Sequence, residues 1–204
     1  MIIAVLLLGC SGSTGVEGVL LDKHTDAGIS GATVTAKGLS LSAQTGADGR
    51  FRLLDLPAGQ HDIEVSHPLY VAPEAVSLAV AAGQVTPAAP LKADRMALLN
   101  VEAIREHEIN YQQAFGSFVP AKAAPREPTQ LNAEAVPWKP TNGFKKLAWA
   151  PARVDGCHCA YSVEATDENF VVTGTCDADG DGVPSVIVAT KEGPAKLTTP
   201  ADVY

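Results

Sequence analysis

Aromatic residues are scarce in this sequence: 2 Trp, 4 Tyr and 5 Phe make up 5% of its 204 residues. A carbohydrate-binding surface of stacked rings, using the loops of a sandwich, is therefore poorly supplied. Positive charge is also short, with 15 Lys and Arg against 23 Asp and Glu and a formal net charge of -8. No Lys/Arg cluster interrupts this acidic balance, which excludes a phosphate-contacting nucleic-acid surface. No stretch approaches the roughly 20 apolar residues that cross a bilayer as a helix. Four cysteines are too few for a disulfide-dense scaffold, so apolar cores must carry the fold. Much of the 46% hydrophobic content is alanine, so burial per residue is thin. Gly-x-Ser-x-Gly, His-Glu-x-x-His, Walker and dinucleotide motifs are all missing, and a non-enzymatic protein is expected.

What is present divides into a short leader and two modules of different periodicity. Residues 1–9 form an apolar run, Met1 to Gly9, followed by Cys10-Ser11-Gly12-Ser13. The run is too short to span a membrane and has the size of an export-signal apolar region. No Lys or Arg precedes it. Leu7-Leu8-Gly9-Cys10 resembles a bacterial lipobox, which implies lipidation of Cys10. Ser11 after it implies an outer-membrane lipoprotein facing the periplasm or the surface. The alternative is a buried first strand ending in an incidental cysteine. Residues 1–14 are read as signal and tether.

From residue 15 to 92 the apolar period is two. Val16, Gly18, Leu20 and Asp22 alternate, as do Ala32, Val34 and Ala36, then Phe51 and Leu53, then Ile63 and Val65. Turn residues punctuate these runs at Asp26-Ala27-Gly28, at Asp48-Gly49 and at Pro57-Ala58-Gly59. Short strands so spaced predict an antiparallel β-sandwich. Pro87 and Pro90 confine any last strand to an edge. The ordered motifs Val16-x-Gly18-x-x-x-Asp22, Gly28-Ile29-Ser30-Gly31-Ala32-x-Val34, Thr45-x-x-Asp48-Gly49-x-Phe51, Leu56-Pro57-x-Gly59 and Ile63-x-Val65 resemble the carboxypeptidase regulatory-like domain. The resemblance implies a prealbumin-like sandwich serving as a structural or recognition appendage without catalytic residues. His24, His61 and His67 lack ligand spacing, and His61 is expected at the core or its rim.

The second module, residues 93–204, opens on a different period. Ala97, Val101, Ile104, Glu108, Tyr111 and Phe115 recur at three- and four-residue spacing and share one helical face. Asp94 is the expected N-cap and Gly116 the stop. The stripe suits packing on a following sheet, with a coiled coil or a partner groove as alternatives. Glu106-His107-Glu108 splay around the axis and read as solvated charges. A Pro-rich connection at 120–142 follows, then strand candidates at Phe144–Trp149, Cys157–Ala165, Phe170–Cys176 and Val183–Thr190. The expected class is mainly β with one long helix: a sandwich, then an α+β domain.

Several stretches of this module resemble the globular part of a type IV pilin or minor pilin of delta-proteobacterial type. They are Asn100-x-x-Ala103-Ile104-Arg105, Tyr111-x-x-x-Phe115, Gly143-Phe144-x-x-Leu147-x-Trp149-x-Pro151, Tyr161-Ser162-Val163, Phe170-x-Val172-Thr173-Gly174, the Asp177–Gly182 loop and Asp202-Val203-Tyr204. The resemblance implies pilus or secretion-system partners. A pilin's peptidase site and apolar N-terminal helix are replaced here by the sandwich and Cys10, which makes polymerisation through such a helix unexpected.

Two constellations carry chemistry. If Thr166 to Asn169 form a turn with Ala165 opposite Phe170, counting back along both strands sets Cys159 opposite Cys176, within reach of a disulfide. Cys157 is then free or competes for Cys176. Alternatively, Cys157, Cys159 and Cys176 bind zinc or copper(I), with His158 pointing to the opposite strand face. Asp177, Asp179 and Asp181 with Gly182 match the opening of an EF-hand loop, Val183 supplying the position-7 carbonyl. Position 12 is Val188, so the bidentate Glu is absent. This loop is a weak structural Ca²⁺ site or an acidic turn. The sequence thus favours an exported lipoprotein acting in protein–protein interaction: pilus or secretion-system accessory work, or adhesion. An envelope metal-binding or redox protein built on the three thiols and the Asp loop is the alternative.

Overall fold

The computed structural model describes residues 12–200, so Cys10 with its lipobox and the terminal Asp202-Val203-Tyr204 lie outside the described residues. The chain divides between Ala93 and Asp94 into two compact units. In the first unit the strands are β1 (Gly15–Asp22), β2 (Thr33–Ala36), β3 (Ser42–Gln44), β4 (Arg50–Leu54), β5 (Gly59–Ser66), β6 (Tyr70–Val71), β7 (Val76–Val80), β8 (Val85–Pro87) and β9 (Leu91–Arg95). One sheet has the order β4-β1-β9-β6 with β8 also beside β1, and the other β3-β2-β5-β7. Alternate residues of each sheet turn inward: Val16, Leu20, Phe51 and Leu53 from one, Val34, Ala36, Ile63 and Val65 from the other, all buried. The first half of β1 pairs in parallel with β8 and its second half with β9. β8 pairs with β1 alone, which is the edge position Pro87 requires.

This sandwich closes through a backbone contact that a side chain would block. Leu20 N–H donates to the Gly49 carbonyl and Ile29 N–H to the Leu20 carbonyl, which draws the 28–29 segment against the β4 turn. A Cβ on Gly28 would sit 2.2 Å from the carbonyl carbon of Asp48, and Gly49 itself turns at φ 76. The Asp48-Gly49 pair thus supplies a tight turn that carries the chain from one sheet to the other, the Gly49 N–H donating to the Gly46 carbonyl, and room for the neighbouring chain. Thr45 fixes the same corner, its hydroxyl accepting the Ala32 N–H at 2.9 Å while buried.

The second unit begins with α1 (Met96–Phe115) and continues through β10 (Ala121–Ala124), a short 3-10 turn at Pro128–Gln130, α2 (Asn142–Leu147), β11 (Cys159–Ala165), β12 (Phe170–Cys176), β13 (Ser185–Thr190) and β14 (Lys196–Leu197). Its five strands form one antiparallel sheet in the order β10-β11-β12-β13-β14. α1 lies on β12 and β13. Val101 and Ile104 are fully buried there, joining Phe144, Phe170, Val172 and Ile187 in one core.

Four local expectations are corrected. The helix N-cap is Arg95 rather than Asp94, and no side chain caps it, because β9 runs on through Asp94 and Arg95. Residues 144–149 are not a strand: Phe144 and Leu147 are buried three apart on one face of α2, and Ala148 stops it in the left-handed region at φ 52. The Pro-rich connection holds a strand, β10, pairing with β11 at the sheet edge between Pro120 and Pro125. Phe115, assigned to the buried stripe, is 70% exposed and stacks on Tyr111 at 4.5 Å. Gly116 does end the helix, at φ 78 with its N–H on the Gln112 carbonyl.

The Gly28 contact is open to test. Gly28→Ala overpacks a backbone–backbone approach and should destabilise the first unit by about 2–3 kcal/mol, read as a lower urea midpoint at unchanged slope.

Candidate functional site

The β11–β12 hairpin and the loop after it carry the residues with chemistry. Thr166 and Asn169 close the turn, the Thr166 N–H donating to the Asn169 carbonyl at 2.8 Å. Ala165 faces Phe170, and the register runs without a bulge to Cys159 opposite Cys176. These two cysteines are joined as a disulfide across the antiparallel pair. Both are buried against the α1 core, and Tyr161 and Val163 continue the same inward row.

Cys157 is free and buried. It lies just before β11, in a bridge where Val136 and Cys157 exchange both backbone hydrogen bonds, and its thiol donates to the Arg153 carbonyl at 3.3 Å. Burial pushes the thiol's pKa up, and the charge of Arg126 opposes this only in part. The protonated thiol is a poor nucleophile and a poor metal ligand. Burial lowers the pKa of His158, the bond to the Ala133 backbone opposing and the charges of Arg126 and Arg153 reinforcing the shift. With Cys159 and Cys176 in a disulfide, the three thiolates needed for a soft-metal site are not available together.

Among the described residues, the group of side chains able to hold a metal is Asp177, Asp179 and Asp181. One carboxylate oxygen from each lies within 4.8 Å of the others. Asp177 is buried at the end of β12, while Asp179 and Asp181 are exposed. The loop is folded by its own carboxylates: Asp177 accepts the Gly180 N–H at 3.0 Å and Asp181 accepts the Val183 N–H at 2.7 Å. Val183 follows at the expected seventh position with its side chain exposed. Three hard oxygen donors on one loop are the ligand type a Ca²⁺ ion takes.

The Glu106-His107-Glu108 run is not uniformly solvated. Glu106 is exposed, and the His107 ring nitrogen Nδ1 lies 2.9 Å from the Leu147 carbonyl. Glu108 is fully buried, since its spacing from Val101 and Ile104 puts it on the face that meets the sheet. Sequence reasoning also missed two buried polar contacts. Asn100 donates to the Tyr161 hydroxyl at 2.8 Å, and Asp22 accepts from the Tyr70 hydroxyl at 2.9 Å and from the His24 N–H at 2.8 Å. His67 stacks edge-on against the same Tyr70 ring, a local contact, whereas the Asp22–Tyr70 and Asn100–Tyr161 bonds join residues 48 and 61 apart that no local spacing connects. His61 sits half-buried at the rim, its Nε2 2.8 Å from the Pro57 carbonyl.

The disulfide closes a loop of sequence separation 17 and should stabilise the second unit. Replacing both Cys159 and Cys176 by Ala is expected to cost about 3 kcal/mol by denaturant titration, with Cys157 remaining slow to alkylate in the native state.

Comparison with known proteins adds one sequence match. Residues 15–90 match the model of the carboxypeptidase regulatory-like domain. No curated protein matches the chain. Among solved structures, a type II cohesin–X-dockerin complex from Acetivibrio cellulolyticus is 20% identical, covering 46% of this chain and 71% of its own, with a TM-score of 0.37. The Bacillus anthracis TIE protein is 14% identical over 92% of this chain and 31% of its own, with a TM-score of 0.35. A DUF3823 family protein from Parabacteroides merdae is 9% identical over 93% of this chain and 100% of its own, with a TM-score of 0.28. At such TM-scores these structural likenesses carry no argument. The family match falls on the first unit, and its ordered glycine and aspartate motifs occupy the turns and close approaches on which that unit depends.

Proposed function

We propose that this protein is a non-enzymatic, exported lipoprotein of the bacterial envelope that acts in protein–protein interaction. Its second unit serves as a pilin-like head in pilus or secretion-system accessory work or in surface adhesion, carried on the sandwich and tethered through Cys10. The observation that carries the reading is the carboxypeptidase regulatory-like match over residues 15–90, a module whose resemblance implies a recognition or structural role. The cross-strand disulfide supports an oxidising compartment, since such bonds persist outside the cytosol. None of the described helices is long and apolar enough to cross a membrane. A lipid on Cys10 is the proposed means of attachment, on the resemblance of Leu7-Leu8-Gly9-Cys10 to a lipobox.

The test pairs labelling with capture. Cells expressing the full chain should incorporate radiolabelled palmitate, and Cys10→Ala should abolish both the label and membrane sedimentation. Pull-down from envelope extracts should recover a pilus or secretion component in a Cys10-independent way. Recovery of no pilus or secretion component would count against that partner class, and a stoichiometric thiolate-bound transition metal in native mass spectra would turn the reading toward an envelope metal-binding protein.

The Asp177–Asp181 loop is proposed as a structural Ca²⁺ site that clamps the end of β12, on the observation that its three carboxylates already converge. With the bidentate Glu missing, a Kd of roughly 10⁻⁴ to 10⁻³ M is expected. Calcium at about 10 mM should then raise the stability of the second unit by about 1–3 kcal/mol, and Asp179→Asn with Asp181→Asn should remove the gain. Equal unfolding curves with calcium and with chelator would leave only an acidic turn.

A further inference from the structure

Of the ionisable side chains on α1, Glu108 alone is buried. Its Oε2 accepts the backbone N–H of Val119 at 2.9 Å, a bond that spans the reversal at Gly116. Oε1 is buried without a hydrogen-bond partner. An ionised carboxylate has lone pairs for about four donors and receives one here, so the pocket suits the neutral acid far better than the anion.

Among the described residues, no opposite charge is paired with the anion. On α1, Arg105 is held by Glu102 and by the carbonyls of Thr190 and Lys191, His107 by its contact with the Leu147 carbonyl, and Tyr111 stacks on Phe115. β12 and β13 bring no ionisable side chain besides the disulfide-bonded Cys176. α2 brings Lys145 and Lys146, and β10 brings Lys122, all three exposed. On β11, Tyr161 is engaged by Asn100 and Glu164 is exposed. Lys191 has its Nζ 5.6 Å from the centre of the Phe118 ring and bonded to the Glu168 carbonyl. Among the described residues none forms an ion pair with Glu108.

We propose that Glu108 is a protonation-controlled latch. As the neutral acid it holds the returning segment Phe118–Val119 against the end of α1; on ionisation the carboxylate is driven toward water and that segment opens. This reading is independent of the envelope role proposed above. Burial pushes the Glu108 carboxyl up to about 7 from an ordinary value of 4.5, the Val119 N–H opposing with a smaller effect. A carboxyl raised in the folded state contributes stability in full below its unfolded pKa. That stability is lost as pH rises through the folded value, so the window runs from 4.5 to about 7. Across it the opening equilibrium should change roughly 300-fold, tenfold for each pH unit between the two values.

Amide hydrogen exchange on the full chain, corrected for intrinsic rates, tests this between about pH 5 and pH 8. Protection of the Val119 amide should fall on the order of 100-fold relative to Val172 in β12, and Glu108→Gln should abolish that fall. A flat wild-type profile, an equal loss at Val172, or the same loss in Glu108→Gln overturns the latch. Carbon-13 titration of the Glu108 carboxyl in the wild type does not depend on the variant folding. A midpoint near 7 supports the proposal, and one at 4.5 overturns it.

Discussion

The second unit depends on how closely α1 can approach its sheet. Gly174 in β12 permits that approach: a Cβ there would lie 2.6 Å from Cγ2 of Val101 and within 3.3 Å of the Tyr161 ring. With no side chain in the way, Val101 and Ile104 reach full burial. Each such aliphatic side chain is worth about 1.5–3 kcal/mol, against about 0.5–1.5 kcal/mol net for the Asn100–Tyr161 hydrogen bond beside them. Burial therefore supplies the strength of the contact. The hydrogen bond supplies its register, because a helix slid by one residue would bury an amide with no partner.

The scarcity of aromatics has a different meaning once their positions are known. Both tryptophans stand in one cluster with Phe144 and Tyr161, each ring edge-on or tilted to another at 5.2 to 6.3 Å. Trp138 enters that cluster from the Pro-rich connection, whose backbone is pinned where the Trp138 N–H meets the Val154 carbonyl. A long connection is thereby fastened to a core it would otherwise only cover. Among the described residues of the first unit there is no such cluster. Its core is mainly Val, Leu, Ile and Ala with Phe51 and Tyr70, so it relies on backbone closeness at Gly28 and Gly49 instead.

Where the sequence was legible, one periodicity or one turn decided the matter. Alternation with glycine and aspartate punctuation located β1, β2, β4 and β5, and the Gly28 and Asp48-Gly49 motifs lie at the turns between strands. The β11–β12 register followed from a single turn, since a period of two allows no drift between Ala165–Phe170 and Cys159–Cys176. Legibility failed where tertiary contact overrode local pattern. Phe144, Leu147 and Trp149 fit a strand or a helix equally over so short a run, and burial under α1 selected the helix. β10 was hidden because prolines flank it, yet an edge strand needs only one hydrogen-bonded side. The fate of the Asp loop's carboxylates was visible only as a spacing, because their convergence depends on the turn at Gly180 and Gly182.

Two buried carboxylates show why burial alone does not define a residue's role. Asp22 is fully buried, and its oxygens receive the Tyr70 hydroxyl and the His24 and Thr25 N–H groups, so they are met by donors that also fix the turn after β1. Glu108 is as deeply buried and meets a single N–H. A carboxylate with several donors reinforces the fold around it; one with a single donor opposes it whenever it is charged. An apolar residue at 108 would fill the stripe without that opposition, since Ala97, Val101 and Ile104 already line it. A polar group retained where stability argues against it is the kind of local inconsistency that marks a functional constraint in an otherwise consistent fold. In this chain the inconsistency sits in the second half of α1, about one turn before the half-buried Tyr111, and not at the hairpin that carries the cysteines and aspartates.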